Sequence, residues 1–207
     1  MMKKKIAIVE DQNMSRQLLE SFIADNEQLE LAGSFENGEE IIDYLGTSKV
    51  DLVVLDVVLG DGMNGLDTAE VIKKNWKEVM VIIITSMPEV SFIDRAKEIG
   101  VDSFWYKEVS KEPILAVIER TLAGELVYPD STPVKQIGNI TSDKLTHAEL
   151  SVLREMTTGA TDTEIAERLG LSVTTVRSHI RHMQQKTGYK NRVELAVKAR
   201  ILGIVIK

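Results

Sequence analysis

Short runs of aliphatic and β-branched residues recur through the first 124 positions, and between them apolar residues return at helical spacing. Lys5–Val9 reads as a strand, followed by a helix patterned on Met14, Leu18, Phe22 and Ile23. Leu29–Phe35 reads as a weaker strand, and Asn37 with Glu40 is spaced as a capping pair for a short helix through Ile41, Ile42 and Leu45. Leu52–Leu55 lacks polar alternation, as a strand buried on both faces does, and it ends at Asp56. Beyond a G-D-G-M-N-G loop the pattern predicts a helix from about Leu66 to Asn75 and a buried strand over Val79–Ile84 that ends in Thr85-Ser86. A helix through Phe92, Ile93, Ala96 and Ile99 follows, with Pro88 in its first turn. Val101–Tyr106 is a fifth strand ending at Lys107, and Ser110 caps a last helix through Leu115, Ile118 and Leu122. Five strands alternating with five helices predict an α/β domain, a doubly wound parallel sheet with right-handed crossovers and the flavodoxin-like strand order.

The pattern then changes. Residues 125–142 carry Pro129, Pro133 and Gly138 without strand or helix period, and read as a connector long enough for two modules to reorient. From 143 to 207 the chain reads as a small all-α domain. Thr146 with Glu149, Thr161 with Glu164 and Asn191 with Glu194 are spaced as capping pairs, and Gly159 and Gly170 sit where helices stop. Between them lie a short helix, a tight turn at Gly170–Ser172 and a longer helix, the anatomy of a helix-turn-helix. On the longer helix Val176, Ile180 and Met183 share a stripe that faces the core. Thr174, Ser178, Arg181 and Gln185 lie opposite, flanked by Arg177, and these side chains can bond phosphates and base edges.

Charge sharpens this division. The net charge of -7 separates into 13 Lys/Arg against 23 Asp/Glu over residues 1–124 and 12 against 9 over 125–207. Ser172–Arg200 holds seven basic side chains and one acid, Glu194, so a polyanion is the expected partner of the second module. The run Val79–Ile84 is far short of the roughly 20 residues that span a bilayer. Glu10 and Asp11 interrupt the apolar patch behind Lys3–Lys5, against a secretory signal, and a cytoplasmic location with no membrane partner is expected. The absence of Cys excludes disulfides, a thiol nucleophile and Cys-ligated zinc, and His179 and His182 have no further His or Cys nearby to complete a metal site.

Candidate chemistry collects at the strand ends: Glu10 and Asp11 after the first, Asp56 at the third, Thr85 at the fourth and Lys107 at the fifth. In the expected strand order the first and third strands flank the switch point, so three carboxylates converge there. Two such charges ~4 Å apart repel by about 4 kcal/mol at an effective dielectric of 20. A cation is required among them, and Mg²⁺ fits because it takes carboxylate, carbonyl and water oxygens while keeping sites open for phosphate. Singly, each residue has an ordinary account as a cap, a turn or a solvated charge. Together the three acids, the hydroxyl and the lysine constitute a phosphoryl-transfer site.

On these residues, positions 1–124 resemble the receiver domain of a two-component response regulator. The resemblance implies that Asp56 is the phosphoacceptor and that Glu10, Asp11 and Asp56 hold Mg²⁺ together with the backbone carbonyl of Val58. It further implies that Thr85 and Lys107 contact the phosphoryl group, and that Thr85 forms a switch with Phe104, the aromatic three residues before the lysine. Phe104 equally fits a core-packing role. Glu10 stands where Asp is commoner, Gly60 where many receivers have Pro, and M-N-G ends one residue later than the usual spacing.

L-T-x-x-E at Leu145–Glu149, G-A-T-D-T-E-I-A at Gly159–Ala166, T-V-R-S-H at Thr175–His179 and N-R-V-E-L-A-V at Asn191–Val197 resemble the LuxR-type helix-turn-helix domain of the NarL/FixJ class. His147-Ala148 departs from the usual basic residue before the glutamate. The resemblance implies that the helix Val173–Thr187 enters the major groove of double-stranded DNA. Thr174, Thr175, Arg177, Ser178, Arg181 and Gln185 are then DNA contacts, with Lys186 and Lys190 toward the backbone. The final helix, about Arg192–Leu202, pairs two copies. The expected protein is a transcriptional response regulator, phosphorylated by a sensor histidine kinase and homodimeric when phosphorylated, with its output domains released or paired by that event. It is no enzyme beyond Mg²⁺-dependent self-phosphorylation and dephosphorylation. A Mg²⁺-dependent phosphotransferase acting on an external substrate is one rival and leaves the basic module unexplained. A DNA-binding regulator independent of phosphorylation is the other, supported by the loop after Asp56.

Overall fold

The computed structural model describes residues 3–60, 62–87, 89–107, 113–130 and 132–205, and the chain folds as two compact units with their main division at 131–132. In the first, β1 (Lys4–Val9), β2 (Leu29–Phe35), β3 (Leu52–Asp56), β4 (Met80–Thr85) and β5 (Ser103–Tyr106) form one parallel sheet in the order β2-β1-β3-β4-β5. The helices α1 (Asn13–Ala24), α2 (Gly38–Leu45), α3 (Gly65–Asn75) and α4 (Val90–Ile99) connect successive strands, and α5 (Ile114–Leu122) follows the last of them. This is the doubly wound order that the alternation predicts. The chain leaves β1 toward one edge and β3 toward the other, which opens a crevice at the carboxyl ends of these two neighbours.

Continuous burial explains the unalternating strands, since β3 has no exposed residue. Ile6, Ile8, Leu52, Val54, Ile82 and Ile84 pack with Leu19 and Ile23 of α1 and with Ile114, Val117 and Ile118 of α5 on one face. On the other, α2 and α3 bury Ile41, Leu45, Leu66, Ala69 and Ile72. Each large aliphatic side chain so buried contributes about 1.5–3 kcal/mol. The helix α1 forms where expected and only part of its predicted pattern faces inward: Ile23 is buried beside Leu19 and Phe22 packs against the same core, whereas Met14 is 84% and Leu18 54% exposed. Its apolar residues lie on two stripes one residue apart, a rotation of about 100°; one is buried, and of the other only Phe22 reaches the core. Asn37 caps α2 as expected, accepting the Glu40 N–H at 2.9 Å. The roles expected of Pro88 and Ser110 lie outside the described residues.

The reading of 125–142 as a connector without strand structure is corrected at both ends. Val127 bridges Ser103 in parallel, the Phe104 N–H donates to the Val127 carbonyl at 2.8 Å, and the Tyr128 hydroxyl donates to the Val101 carbonyl at 2.7 Å. At the far end β6 (Gln136–Ile137) and β7 (Ile140–Thr141) form an antiparallel hairpin whose Ile137 is fully buried in the core of the second unit. The hairpin seats on a helix end. A Cβ at Gly138 would overlap the Thr187 carbonyl oxygen, and its φ of +58° also selects glycine, while the Asn139 N–H donates to that same carbonyl at 2.9 Å. Only the stretch between Tyr128 and Lys135 remains as a connector.

After a 3₁₀ turn at Ser142–Lys144 come α6 (His147–Thr157), α7 (Asp162–Leu169), α8 (Val173–Thr187) and α9 (Arg192–Ile201). The capping boxes at Thr146/Glu149 and Thr161/Glu164 are complete, and the Asn191 side chain accepts the Glu194 N–H at 2.9 Å. Caps of this kind stabilise a helix by about 1 kcal/mol each. Val176, Ile180 and Met183 of α8 pack among Leu153, Ile165 and Leu195, so the predicted stripe is the buried one and fixes which face of α8 is outward.

Candidate functional site

Glu10 directly follows β1 and Asp56 ends β3, so two adjacent parallel strands carry carboxylates out at the same end of the sheet. Glu10 is fully buried and Asp56 only 3% exposed. With Asp11 they offer oxygens that lie within 4.8 Å of one another. Lys107, after β5, donates from its ammonium to Asp56 Oδ2 at 2.8 Å and also to Glu10 Oε2. Asp56 Oδ1 accepts the Val58 N–H at 3.2 Å and Glu10 Oε1 accepts the Gln12 N–H at 3.1 Å. Asp11 Oδ1 is buried with no hydrogen-bond partner among the described residues. Thr85 is buried at the end of β4, and its carbonyl accepts the Lys107 N–H at 3.0 Å. The five strand-end residues expected to act together therefore lie at one end of one sheet.

Burial pushes the Asp56 carboxyl up to about 6; the Lys107 charge opposes this and the Glu10 charge adds to it. Burial works to lower the Lys107 pKa, but the charges and hydrogen bonds of Asp56 and Glu10 outweigh it and hold the ammonium above the ordinary lysine value. The Asp56 and Glu10 carboxyl groups thus share one ammonium, and Asp11 Oδ1 beside them has no partner among the described residues.

The loop after Asp56 is tied down by Glu39, whose carboxylate accepts the Met63 N–H at 3.0 Å, and by Asn64, which caps α3 by accepting the Asp67 N–H at 2.9 Å. Gly65 is sterically required, because a Cβ there would overlap the Asp56 carbonyl oxygen. At Gly60 a Cβ would meet Asp11 Oδ2 at 3.6 Å, an ordinary contact, so packing does not demand glycine at that position. Phe104 is 1% exposed, edge-on to Tyr106 with ring centroids 5.1 Å apart and stacked on Tyr128 at 6.5 Å. In this conformation it is a core residue.

The outward face of α8 presents Thr174, Arg177, Arg181 and Gln185, with Ser178 half-buried among them. Thr175 is half-buried, and its hydroxyl lies 2.8 Å from that of Ser172 at the helix start. Arg177 donates through Nε to Asp162 at 2.9 Å, and Asp162 also accepts from Arg192 at 2.6 Å. The Arg177 bond, and after it the Arg192 charge, outweigh partial burial and hold the Asp162 carboxyl below the usual range. Lys186 is engaged within its own unit: its ammonium donates to buried Glu149 at 2.7 Å and to the Lys144 carbonyl at 3.2 Å, tying α8 to α6. Lys190 stays exposed beyond the helix. Asp162 escaped the sequence reading because its partner Arg177 is 15 positions on, on another helix, and no local spacing signals the pair.

Residues 6–119, more than half the chain, match the family model of the response regulator receiver domain. The chain belongs to the response regulator receiver family. In this response regulator, residues 143–199 match the luxR family of bacterial regulatory proteins, so a receiver is joined to a LuxR-type DNA-binding domain, as in two-component transcriptional regulators. Response regulator protein VraR of Staphylococcus epidermidis is 27% identical over 200 residues, spanning 94% of this chain and 95% of VraR, and VraR of Staphylococcus aureus matches equally. The fold is shared with RcsB from Salmonella enterica serovar Typhimurium, bound to a promoter in the presence of the phosphomimetic BeF3-, at 19% identity and a TM-score of 0.64 over 95% of this chain and 97% of that one. A structure of two RcsB dimers bound to two parallel DNAs aligns at 18% identity and a TM-score of 0.63 over 96% and 98% of the two chains.

Proposed function

We propose that a sensor histidine kinase phosphorylates Asp56 and that the phosphorylated chain pairs on double-stranded DNA in the cytoplasm to control transcription. The observation that carries this reading is Asp11 Oδ1, buried and unpartnered beside Glu10 and Asp56. A buried carboxylate oxygen in that state is costly unless a cation meets it. The donor set is all hard oxygen and fits Mg²⁺, which Glu10, Asp11, Asp56 and the Val58 backbone carbonyl would hold. Bound there, the ion supplies neutralisation of charge on the phosphoryl oxygens.

The chain's own residues do the rest. An Asp56 carboxylate oxygen forms a bond to phosphorus as the bond from phosphorus to the donor histidine nitrogen breaks, and that nitrogen leaves as neutral imidazole. Lys107 and the Thr85 hydroxyl then donate to phosphoryl oxygens. Moving a two-state population from 1:99 to 99:1 takes about 5.5 kcal/mol, more than one surface ion pair supplies. Phosphoryl contacts and dimer contacts therefore act together. On α9, Val193, Val197 and Ile201 are 66%, 49% and 72% exposed at a spacing of four residues, an apolar stripe suited to pairing two copies. Release of a covered recognition helix rested on a long connector, and the shorter one favours pairing.

A gel-shift titration with and without acetyl phosphate and Mg²⁺ tests the reading. Tighter, pairwise DNA binding after phosphorylation is expected. Identical binding in both conditions, or phosphoryl labelling of Asp56→Asn, overturns it.

A further inference from the structure

Asp162, the first residue of α7, joins arginines from two other helices. Its Oδ2 accepts the Arg177 Nε–H at 2.9 Å and its Oδ1 accepts from Arg192 Nη1 at 2.6 Å. Helix capping does not call for it, because Thr161 and Glu164 already complete the box at this helix start. The pair runs outward, from an Asp162 side chain 20% exposed to an Arg177 side chain 67% exposed on the outer face of α8. A bond at Nε fixes the plane of a guanidinium. It leaves the two terminal amino groups of Arg177 without hydrogen-bond partners among the described residues, and such a parallel pair is the donor set that matches guanine O6 and N7.

We propose that Asp162 is a positioning residue that orients Arg177 for base reading and thereby sets how strongly this protein discriminates between DNA sequences. The proposal rests on the reading of α8 as the helix that meets base edges. Asp162 acts in two ways there. It removes torsional freedom that Arg177 would otherwise lose on binding, and its charge offsets an arginine that would otherwise be drawn to any phosphate.

The test uses the full chain and a preferred duplex selected from a random pool, with affinities for preferred and scrambled duplexes measured by fluorescence anisotropy across a salt series. Asp162→Ala is expected to narrow the preferred-to-scrambled ratio by about 2- to 10-fold, partly by raising affinity for scrambled DNA. Asp162→Asn keeps an acceptor for Nε and is expected to narrow it less. In an Arg177→Ala background, Asp162→Ala is expected to add no further loss of discrimination. An unchanged ratio, an equal shift on both duplexes, or a full effect persisting without Arg177 overturns the proposal and leaves Asp162 a structural clamp for Arg192. If Arg177→Ala itself leaves the ratio intact, the base-reading assignment of α8 fails first. If Arg177→Ala narrows the ratio and Asp162→Ala does not, only the Asp162 proposal falls. Should Asp162→Ala not fold, the same cycle run with Asp162→Ser decides.

Discussion

The Lys107 ammonium donates to Asp56 Oδ2 at 2.8 Å while also reaching Glu10 on the neighbouring strand end. The lysine already pairs two of the three acids of the cleft, so a phosphoryl group on Asp56 is expected to change its partners. Lys107→Ala is expected to retain labelling by acetyl phosphate at a reduced level and to lose the accompanying gain in DNA affinity. Labelling and DNA anisotropy measured on the same sample check this. A variant that still pairs on phosphorylation shows that another group does the coupling.

Asp56→Asn is expected to abolish labelling and leave basal DNA binding intact, since it removes the carboxylate proposed as the phosphoacceptor while the side chain keeps its size and shape. Asp11→Ala is expected to weaken Mg²⁺ affinity by tenfold or more on the general scale of lost charged contacts, about 1.5–3 kcal/mol, and to slow labelling in parallel. Titration calorimetry with Mg²⁺ alone reads the first effect. Undiminished Mg²⁺ affinity assigns the metal to other oxygens.

Phe104 stacks on Tyr128, which lies past α5 and donates to the Val101 carbonyl at 2.7 Å. Phe104→Ala is expected to cost about 3–5 kcal/mol, the usual range for emptying a buried aromatic site. Tyr128→Phe removes only one hydrogen bond and is expected to cost about 1 kcal/mol. Urea denaturation measures both. Phe104→Leu keeps most of the volume and tests the switch role: labelling without the gain in DNA affinity supports it, and full coupling confines Phe104 to packing.

The strand ends were legible because each apolar run stops abruptly at a residue with chemistry: Asp56 after Leu55, Thr85 after Ile84, Lys107 after Tyr106. Helix starts were legible because a cap is a local device, as Thr146 with Glu149 demonstrates. Two-residue strands are too short to display a period, so Gln136–Thr141 was missed although Gly138-Asn139 between two isoleucines is a hairpin-turn signature. The inward face of α1 was only half legible, right at Phe22 and Ile23 and wrong at Met14 and Leu18, because apolar side chains alone do not say which stripe the sheet covers. Ion pairs such as Lys186 with Glu149, 37 positions apart, exist only after the helices pack.

That last pair has a pH signature. Burial works to raise the Glu149 pKa, but the hydrogen bonds from Lys186 and the Thr146 N–H outweigh it and hold the carboxyl below its ordinary value. A carboxyl depressed by folding contributes stability that is full above its unfolded pKa and fades as pH falls through the folded one. Glu149→Gln is therefore expected to destabilise the second unit by about 1–2 kcal/mol at pH 7. The gap between variant and parent is expected to close below about pH 4, toward the ordinary carboxyl range. Thermal unfolding of both proteins from pH 3 to 7 checks it. A constant gap means that Glu149 acts by packing and not by charge.

Arg181 and Lys190 are expected to divide the labour of DNA binding between sequence choice and backbone attraction. Arg181 projects from the outer face of α8, whereas Lys190 is exposed beyond the helix end, after Gly188. Base-edge contacts set discrimination, and phosphate contacts set affinity for every sequence together with its salt dependence. Arg181→Ala is expected to cost about 1–3 kcal/mol on the preferred duplex and little on a scrambled one. Lys190→Ala is expected to weaken both duplexes alike and to reduce the slope of log affinity against log salt by about 1, the mark of one lost phosphate contact. Lys186→Ala is expected to behave differently from both, lowering stability through loss of the Glu149 pair while leaving the salt slope unchanged. Binding of the three variants to preferred and scrambled duplexes across a salt series separates these outcomes. Equal losses on the two duplexes for Arg181→Ala would move that arginine to the phosphate contacts, and a reduced slope for Lys186→Ala would return that lysine to the DNA.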